Sequence, residues 1–344
     1  MTDKNSTTAW RSSSVIGNTP MKTISLLIRG AWRTIRLKLE GCNPAGSSKD
    51  RTAQALIADL DSRGLLNKSS VVIESTSGNL GVSLAYLCQH MGYQFLAVID
   101  PKTTPDLCDR MKTLGARMEM VHQQDETGGY LLSRLIRVRE LCDESPSYVW
   151  TDQYSNLANP AAHYRSTAPE IFSQCNGRVD AVFVAVSTGG TLVGIDRYFK
   201  EVSPTTEVIA IDALGSVALG GLPGMRKLTG IGSSRVSTFI QPDRNYVHRI
   251  VADRDAFAVC RMLDREIGVS LGGSSGAVIF GCAQILADNS EMKHIVCLCP
   301  DGGNNYASTI YSNEWLETNG FDSGYQLSVI DAVADFAAVS NVRS

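Results

Sequence analysis

The chain has 344 residues, 43% hydrophobic and 19% charged, enough for a sizeable core and more than one ordinary domain needs, so two lobes are expected. Its formal net charge of −3 gives no basic field for nucleic acid or an anionic membrane surface, and no apolar run approaches the roughly 20 residues that span a bilayer. Residues 1–14 are polar and lack the apolar stretch of a signal peptide, so a cytoplasmic location is expected.

In chain order, β-rich runs predict strands over 34–39, 71–74, 95–99, 118–121, 181–186, 207–212 and 295–298. Helical patterns fall between and after them, over 50–63, 79–91, 105–114, 129–142, 160–172, 191–200, 253–266 and 276–286. This alternation predicts an α/β fold with largely parallel sheets covered by helices. Residues 214–235, rich in glycine and without periodicity, read as a long functional loop, and the residues after Phe321 as an appendage. The nine cysteines, scattered from Cys42 to Cys299, have neither disulfide-framework nor zinc spacing and read as buried reduced thiols. The five histidines lie far apart without ligand spacing, so no metal is expected.

Four turns put small and hydroxyl residues where a helix begins and unpaired backbone N–H groups point outward. They are Ser47-Ser48-Lys49-Asp50, Ser75-Thr76-Ser77-Gly78-Asn79, Ser187-Thr188-Gly189-Gly190-Thr191 and Gly272-Gly273-Ser274-Ser275-Gly276. The third follows an apolar strand; its glycines let the backbone close on a tetrahedral anion and its hydroxyls add donors, so it can hold a phosphate monoester without a lysine or arginine. It is neither a dinucleotide fingerprint nor a Walker loop. Lys49 stands at the positive mouth of a helix, which works against an ammonium, and a readily neutral amine can form a Schiff base.

Together with Val15-Ile16-Gly17-Asn18-Thr19-Pro20, Asn43-Pro44, Gln153-Tyr154-Ser155-Asn156 and Asn159-Pro160, these turns resemble, in order and from about residue 15 to 300, the cysteine synthase family of fold-type II enzymes that depend on pyridoxal 5′-phosphate. The resemblance implies a two-lobed, tryptophan synthase β-like fold: a larger phosphate-binding lobe of 13–47 and 152–330, a smaller, mobile lobe of 48–151 for the substrate carboxylate, and a tail of 331–344. It makes Lys49 the lysine that bonds the cofactor and then acts as general base, and Asn79 the partner of the cofactor's 3′-hydroxyl. Ser187, Thr188, Gly189, Gly190 and Thr191 would hold the phosphate and Ser274 the pyridine nitrogen. Thr76, Ser77, Asn79 and Gln153 would take the substrate carboxylate. The implied chemistry is replacement of a leaving group at Cβ of an amino acid, in a homodimer acting on small amino acid substrates.

Leu80, Tyr154 and Ser187 depart from the usual pattern of threonine, phenylalanine and glycine at those positions. With the 74–81 segment, the stretch Gly128-Gly129-Tyr130-Leu131 with Arg134, and Cys299-Pro300-Asp301-Gly302-Gly303, they most resemble the N-(2-amino-2-carboxyethyl)-L-glutamate synthase branch. That branch joins O-phospho-L-serine to L-glutamate on the way to 2,3-diaminopropionate for siderophores or antibiotics. Arg134 is the candidate for the substrate phosphate, since a guanidinium matches phosphate with parallel donors, and Arg226, Lys227 and Arg235 for the glutamate carboxylates. The hydroxyls of Tyr154 and Ser187 would add the polarity that glutamate needs and sulfide does not. The alternative activity is cysteine synthase, O-acetylserine or O-phosphoserine sulfhydrylase.

Overall fold

The computed structural model describes residues 15–126, 128–241, 244–288 and 291–335. The described chain opens with a hairpin of β1 (Met21–Ile28) and β2 (Ala31–Leu39). Its two-residue turn puts Arg29 and Gly30 at positive φ, the twist that suits a hairpin, and the alternation of β1 buries Ile24, Leu26 and Ile28. Residues 15–18 and 43–159 then form one compact unit, and 19–42 with 160 onward form the other.

The first unit carries a wholly parallel sheet in the order β5-β4-β3-β6. Its strands are β3 (Val71–Ser75), β4 (Gln94–Ile99), β5 (Arg117–Met120) and β6 (Tyr148–Trp150). The helices are α1 (Lys49–Ser62), α2 (Asn79–Met91), α3 (Pro105–Thr113) and α4 (Leu131–Glu144). Helix α1 buries Ala53, Leu56, Ile57 and Leu60, the spacing of a single helical face, and the chain turns away at Gly64 with φ +67°. A short helix α5 (Ala158–Ala162) leads out of this unit.

In the second unit a π-helical turn (His163–Thr167) and α6 (Ala168–Gln174) precede β7 (Ala181–Ala185), α7 (Gly190–Val202) and β8 (Glu207–Ala213). β9 (His248–Val251), α8 (Asp253–Ile267), α9 (Gly273–Asp288), β10 (Ile295–Cys299), α10 (Asn313–Thr318) and β11 (Ile330–Asp335) complete it. The seven-stranded sheet runs β11-β1-β2-β10-β7-β8-β9, antiparallel across β11, β1 and β2 and parallel from β2 to β9. Helix α9 is buried along nearly its whole length, as its apolar composition requires. Lys38 is fully buried on β2, where its ammonium donates to Thr19 O (2.7 Å), Glu170 (2.8 Å) and Gln174 (3.0 Å). A buried cation demands such a complete set of acceptors.

The α/β alternation of largely parallel strands and helices is present as expected. The predicted helix over 160–172 is instead interrupted by the π turn, against which α7 packs so closely that a Cβ on Gly194 would lie 2.9 Å from His163 Cβ and 3.0 Å from Tyr164 N. β1, β6, β9 and β11 were not anticipated. Residues 330–335, expected at the end of the larger lobe and the start of a tail, form the edge strand paired with β1 and joined to it by an ion pair of Lys22 and Asp335 (2.6 Å); 336–344 lie outside the described residues. All nine cysteines are free and six are buried, and burial pushes the Cys88 and Cys260 thiols up to about 12. No helix among the described residues is long and apolar enough to cross a membrane.

Candidate active site

In the first unit, Lys49 is the first residue of α1 and is half-buried. The turn before it is held by Asp50, whose carboxylate accepts from Ala45 N (2.6 Å) and from the Ser83 hydroxyl (2.6 Å). The Ser83 hydroxyl also reaches Asn79 O (3.0 Å), so one buried bridge ties the start of α1 to the start of α2. Lys49 and Asn79 are thereby placed at two helix N-termini fixed to one another. Sequence reasoning singled out both residues but not the Asp50–Ser83 bridge, which only the fold brings together.

The turn from β3 into α2 carries Thr76, Ser77 and Asn79. Thr76 Oγ1 accepts from Gly81 N (2.9 Å), and Gly81 must be glycine because a Cβ would lie 2.6 Å from Met111 Sδ and 2.9 Å from the Thr76 methyl. Gln153, distant in sequence, is brought to the same turn: its side-chain amide donates to Ser75 O (2.9 Å). The predicted carboxylate set therefore converges within this unit. The Ser75 hydroxyl, buried and with no hydrogen-bond partner among the described residues, is a further polar group at the turn, quoted in the motif without a role of its own.

Glu74 precedes that turn and is entirely buried. Its Oε1 accepts from Ser75 N (2.7 Å) and Trp150 Nε1 (3.3 Å), and its Oε2 from the Thr151 hydroxyl (2.5 Å) and Gln153 N (3.0 Å). Burial pushes its carboxyl from an ordinary 4.5 up to about 7, and the hydrogen bonds from Thr151, Gln153 and Trp150 offset only part of that shift. Tyr154 is half-buried on the turn that follows.

Arg134, the expected receiver of the substrate phosphate, lies in the first unit. It is buried on α4, with Nε 3.1 Å from the equally buried Asp100 carboxylate. The contact is close in distance without hydrogen-bond geometry, a charge pair that leaves Arg134 Nε and Nη1 with no hydrogen-bond partner among the described residues.

In the second unit, Gly189 caps α7 with φ +90° and Gly190 is the first helical residue. The 187–191 turn is backed by the long loop over 214–247, whose described residues form neither helix nor strand. Ser237 donates to Thr188 O (2.6 Å), Ser187 donates to Gly232 O (3.1 Å), and Gly232 N donates to Val186 O (2.7 Å). A Cβ on Gly189 would collide with the Ser237 side chain. Glycine is thus required from behind the turn as well as at its mouth. The Ser187 hydroxyl is engaged by the backbone of that loop. Thr191 Oγ1 lies 3.1 Å from Nε2 of buried His163, whose Nδ1 lies 2.9 Å from the Thr167 hydroxyl. Of the basic residues in the loop, Arg226 donates to Gly215 O (3.0 Å) and packs against Gly232, an internal role.

Ser274 lies in the first turn of α9, 1% exposed, and its hydroxyl has no hydrogen-bond partner among the described residues. A Cβ built on Gly230 would lie 3.7 Å from it, so the loop facing this hydroxyl is kept bare of side chain. The start of α9 is seated by the turn after β10, with Gly272 N donating to Asp301 O (3.3 Å) and Tyr306 donating to the Asp301 carboxylate (2.6 Å). A buried orphan hydroxyl is costly unless a ligand atom completes it. Within the second unit the glycine-lined helix N-terminus has donors for a phosphate and this hydroxyl one for a ring nitrogen, and within the first the half-buried lysine has an amine for an aldehyde.

The family model described as pyridoxal-phosphate dependent enzyme matches residues 12–301. The chain belongs to the pyridoxal-phosphate dependent enzymes. Among curated proteins this pyridoxal-phosphate dependent enzyme is 39% identical over 303 residues, 88% of its own length and 89% of the relative's, to the N-(2-amino-2-carboxyethyl)-L-glutamate synthase of Ralstonia nicotianae. Among solved structures it is similar to a hydrogen sulfide-producing enzyme of Fusobacterium nucleatum, with TM-score 0.79, 29% identity, and coverage of 85% of this chain and 97% of the other. It is equally similar to an O-acetylserine dependent cystathionine beta-synthase of Helicobacter pylori, with TM-score 0.79, 28% identity and coverage of 86% and 97%. The fold is that of the fold-type II enzymes of the cysteine synthase family, and the cofactor is pyridoxal phosphate.

Proposed function

We propose that this pyridoxal-phosphate dependent enzyme catalyses a β-replacement that joins O-phospho-L-serine to L-glutamate, giving N-(2-amino-2-carboxyethyl)-L-glutamate and phosphate. The observation that carries the choice of reaction is the 39% identity, over nearly the whole of both chains, to a synthase named for that product. The residues support the class of chemistry.

In this reading Lys49 carries the cofactor, Asn79 partners its 3′-hydroxyl, residues 187–191 hold its phosphate, and the Ser274 hydroxyl meets its ring nitrogen. Pyridoxal phosphate supplies the electron sink that makes a Cα proton removable. A serine hydroxyl is a neutral partner and does not enforce a protonated pyridine, which suits loss of a group from Cβ over transamination. Thr76, Ser77, Asn79 and Gln153 hold the substrate carboxylate, helped by the positive end of α2. Lys49 Nζ takes the Cα proton as general base and returns it once the new bond at Cβ has formed. The glutamate amine supplies the electron pair for that bond and loses a proton, while the phosphate leaves with the electron pair of the broken C–O bond.

The test is mass analysis of the products from O-phospho-L-serine incubated with L-glutamate and, in parallel, with sulfide. Faster formation of the glutamate adduct is expected. Cysteine formed far faster than the adduct would replace this reading with cysteine synthase activity. The same reading carries a cytoplasmic homodimer serving 2,3-diaminopropionate supply for siderophores or antibiotics. A light-scattering mass of twice the 37.2 kDa chain supports the dimer, and a mass of one chain overturns it.

A further inference from the structure

Glu74 is the most fully buried carboxylate beside the candidate site, and nothing in the proposed chemistry uses it. Its two oxygens face four donors: two backbone N–H groups, an indole N–H and a hydroxyl. Two of these belong to the ends of one short path, Ser75 at the close of β3 and Gln153 after β6. The ladder between β3 and β6 ends at Ile73 opposite Trp150, followed by Thr151 N donating to Ile73 O (3.2 Å). Beyond that point the two segments are joined through Glu74 and through the Gln153 side chain on Ser75 O.

We propose that Glu74 is the positioning residue of the carboxylate half-site, holding Thr151 and Gln153 against the β3–α2 turn so that Gln153 stands beside Thr76, Ser77 and Asn79. The proposal rests on the reading that these four residues bind the substrate carboxylate. Only the ionised carboxylate offers acceptors to all four donors; the protonated form turns an O–H toward groups of which the Thr151 oxygen alone can accept it. Because burial raises the carboxyl to about 7, the hold is complete above neutrality and weakens below it. β4 brings no ionisable group to β3. β6 and the turn after it bring Tyr148 and Asp152, the latter opposing ionisation of Glu74. α4 brings the Arg134–Asp100 pair and Arg137, which is bonded to Glu119, Glu140 and Glu144. It also brings Arg139 over the Trp150 ring, Asp143, and Cys142, whose thiol burial and the charges of Asp143 and Glu74 raise.

The experiment compares holoenzymes of the parent, Glu74→Gln, Glu74→Asp and Gln153→Ala, with O-phospho-L-serine and O-acetyl-L-serine as two substrates sharing only the amino acid end. Glu74→Gln is expected to raise KM for both roughly tenfold with kcat within about threefold, and to keep the visible cofactor absorption. Glu74→Asp should recover part of the loss. The rise of the parent's KM as pH falls through about 7 should be absent in Glu74→Gln. Backbone amide exchange at Gln153, read without turnover, should slow in the parent as Glu74 ionises, relative to intrinsic rates, and stay fast in Glu74→Gln. If Gln153→Ala raises KM while Glu74→Gln leaves KM, pH profile and amide protection as in the parent, the positioning role is wrong and the carboxylate reading stands. If Gln153→Ala leaves KM unchanged, the carboxylate reading of Gln153 is wrong. Should Glu74→Gln fail to fold, the parent's own amide protection decides, and protection that is flat from pH 6 to 8 overturns the proposal.

Discussion

Ser274→Ala should change stability in opposite directions with and without the cofactor. The hydroxyl is 1% exposed and has no hydrogen-bond partner among the described residues, and a buried hydroxyl left unpaired costs about 1–3 kcal/mol. Alanine fits the same first turn of α9 with one atom fewer, so protein stripped of pyridoxal phosphate should gain about 1 kcal/mol in urea unfolding. In the holoenzyme the same substitution deletes a hydrogen bond to the ring nitrogen and should lose about 1 kcal/mol. The difference, about 2 kcal/mol, corresponds to roughly thirtyfold weaker cofactor binding, measurable by absorbance titration of the apoprotein. If the stripped variant is less stable than the stripped parent, the hydroxyl already has a partner. If cofactor affinity is unchanged, Ser274 is not the ring partner.

Lys49→Ala should abolish turnover while unfolding stays cooperative, because the side chain is half-buried at a helix start and carries little of the core; turnover above a tenth of the parent's would remove Lys49 as the base. Gly189→Ala combines a left-handed φ of +90° with a collision against Ser237 and should cost roughly 2–4 kcal/mol by chemical denaturation. Adding Ser237→Gly should recover the collision part and leave about 1–2 kcal/mol of backbone strain, and no recovery would mean that the clash is relieved elsewhere. For Glu74, the folded chain keeps a proton between pH 4.5 and about 7 that the unfolded chain has released. Its contribution to stability is therefore full below 4.5 and lost as pH rises through 7, worth about 3 kcal/mol. Unfolding of the parent and Glu74→Gln across pH 4 to 8 should diverge by about that amount, and parallel curves would refute the raised carboxyl.

The elements whose pattern is local were legible. β3, β4, β7 and β10 are apolar runs buried on both faces, and α1, α2 and α8 carry clear helical stripes closed by Gly64, Gly92 and Gly268 at positive φ. β6 has three half-buried residues and β9 four edge residues, two of them exposed, which is too short for a period to register. β1 could have been found from Ile24, Leu26 and Ile28 and the Arg29-Gly30 turn. The π turn at 163–167 lies against Gly194 of another helix, a neighbour that the local pattern does not show. The site turns stood out because caps and glycines are local, and the family order then assigned their roles. The contact of Arg134 with Asp100, at the end of a different strand, and that of Ser187 with Gly232, 45 residues on, join distant segments and leave no local signal. Glu74 was quoted only as part of a motif; its four donors come from segments up to 79 residues away.

The order in which the chain leaves the ribosome gives the interrupted second unit a particular difficulty. The first unit is nearly contiguous, 43–159, and its β3, β4, β5 and β6 can pair as soon as they are made. The β1–β2 hairpin comes earlier still, but β2 pairs with β10, some 260 residues later, and β1 with β11, the last strand described. Two flanks of a sheet thus stay bare through most of synthesis, while an unpaired strand edge is the part of a nascent protein most prone to join another chain. Lys22, Arg33 and Arg36 on that hairpin and the buried Lys38 place cations along the waiting edges, a composition that keeps like copies apart until β10 and β11 arrive.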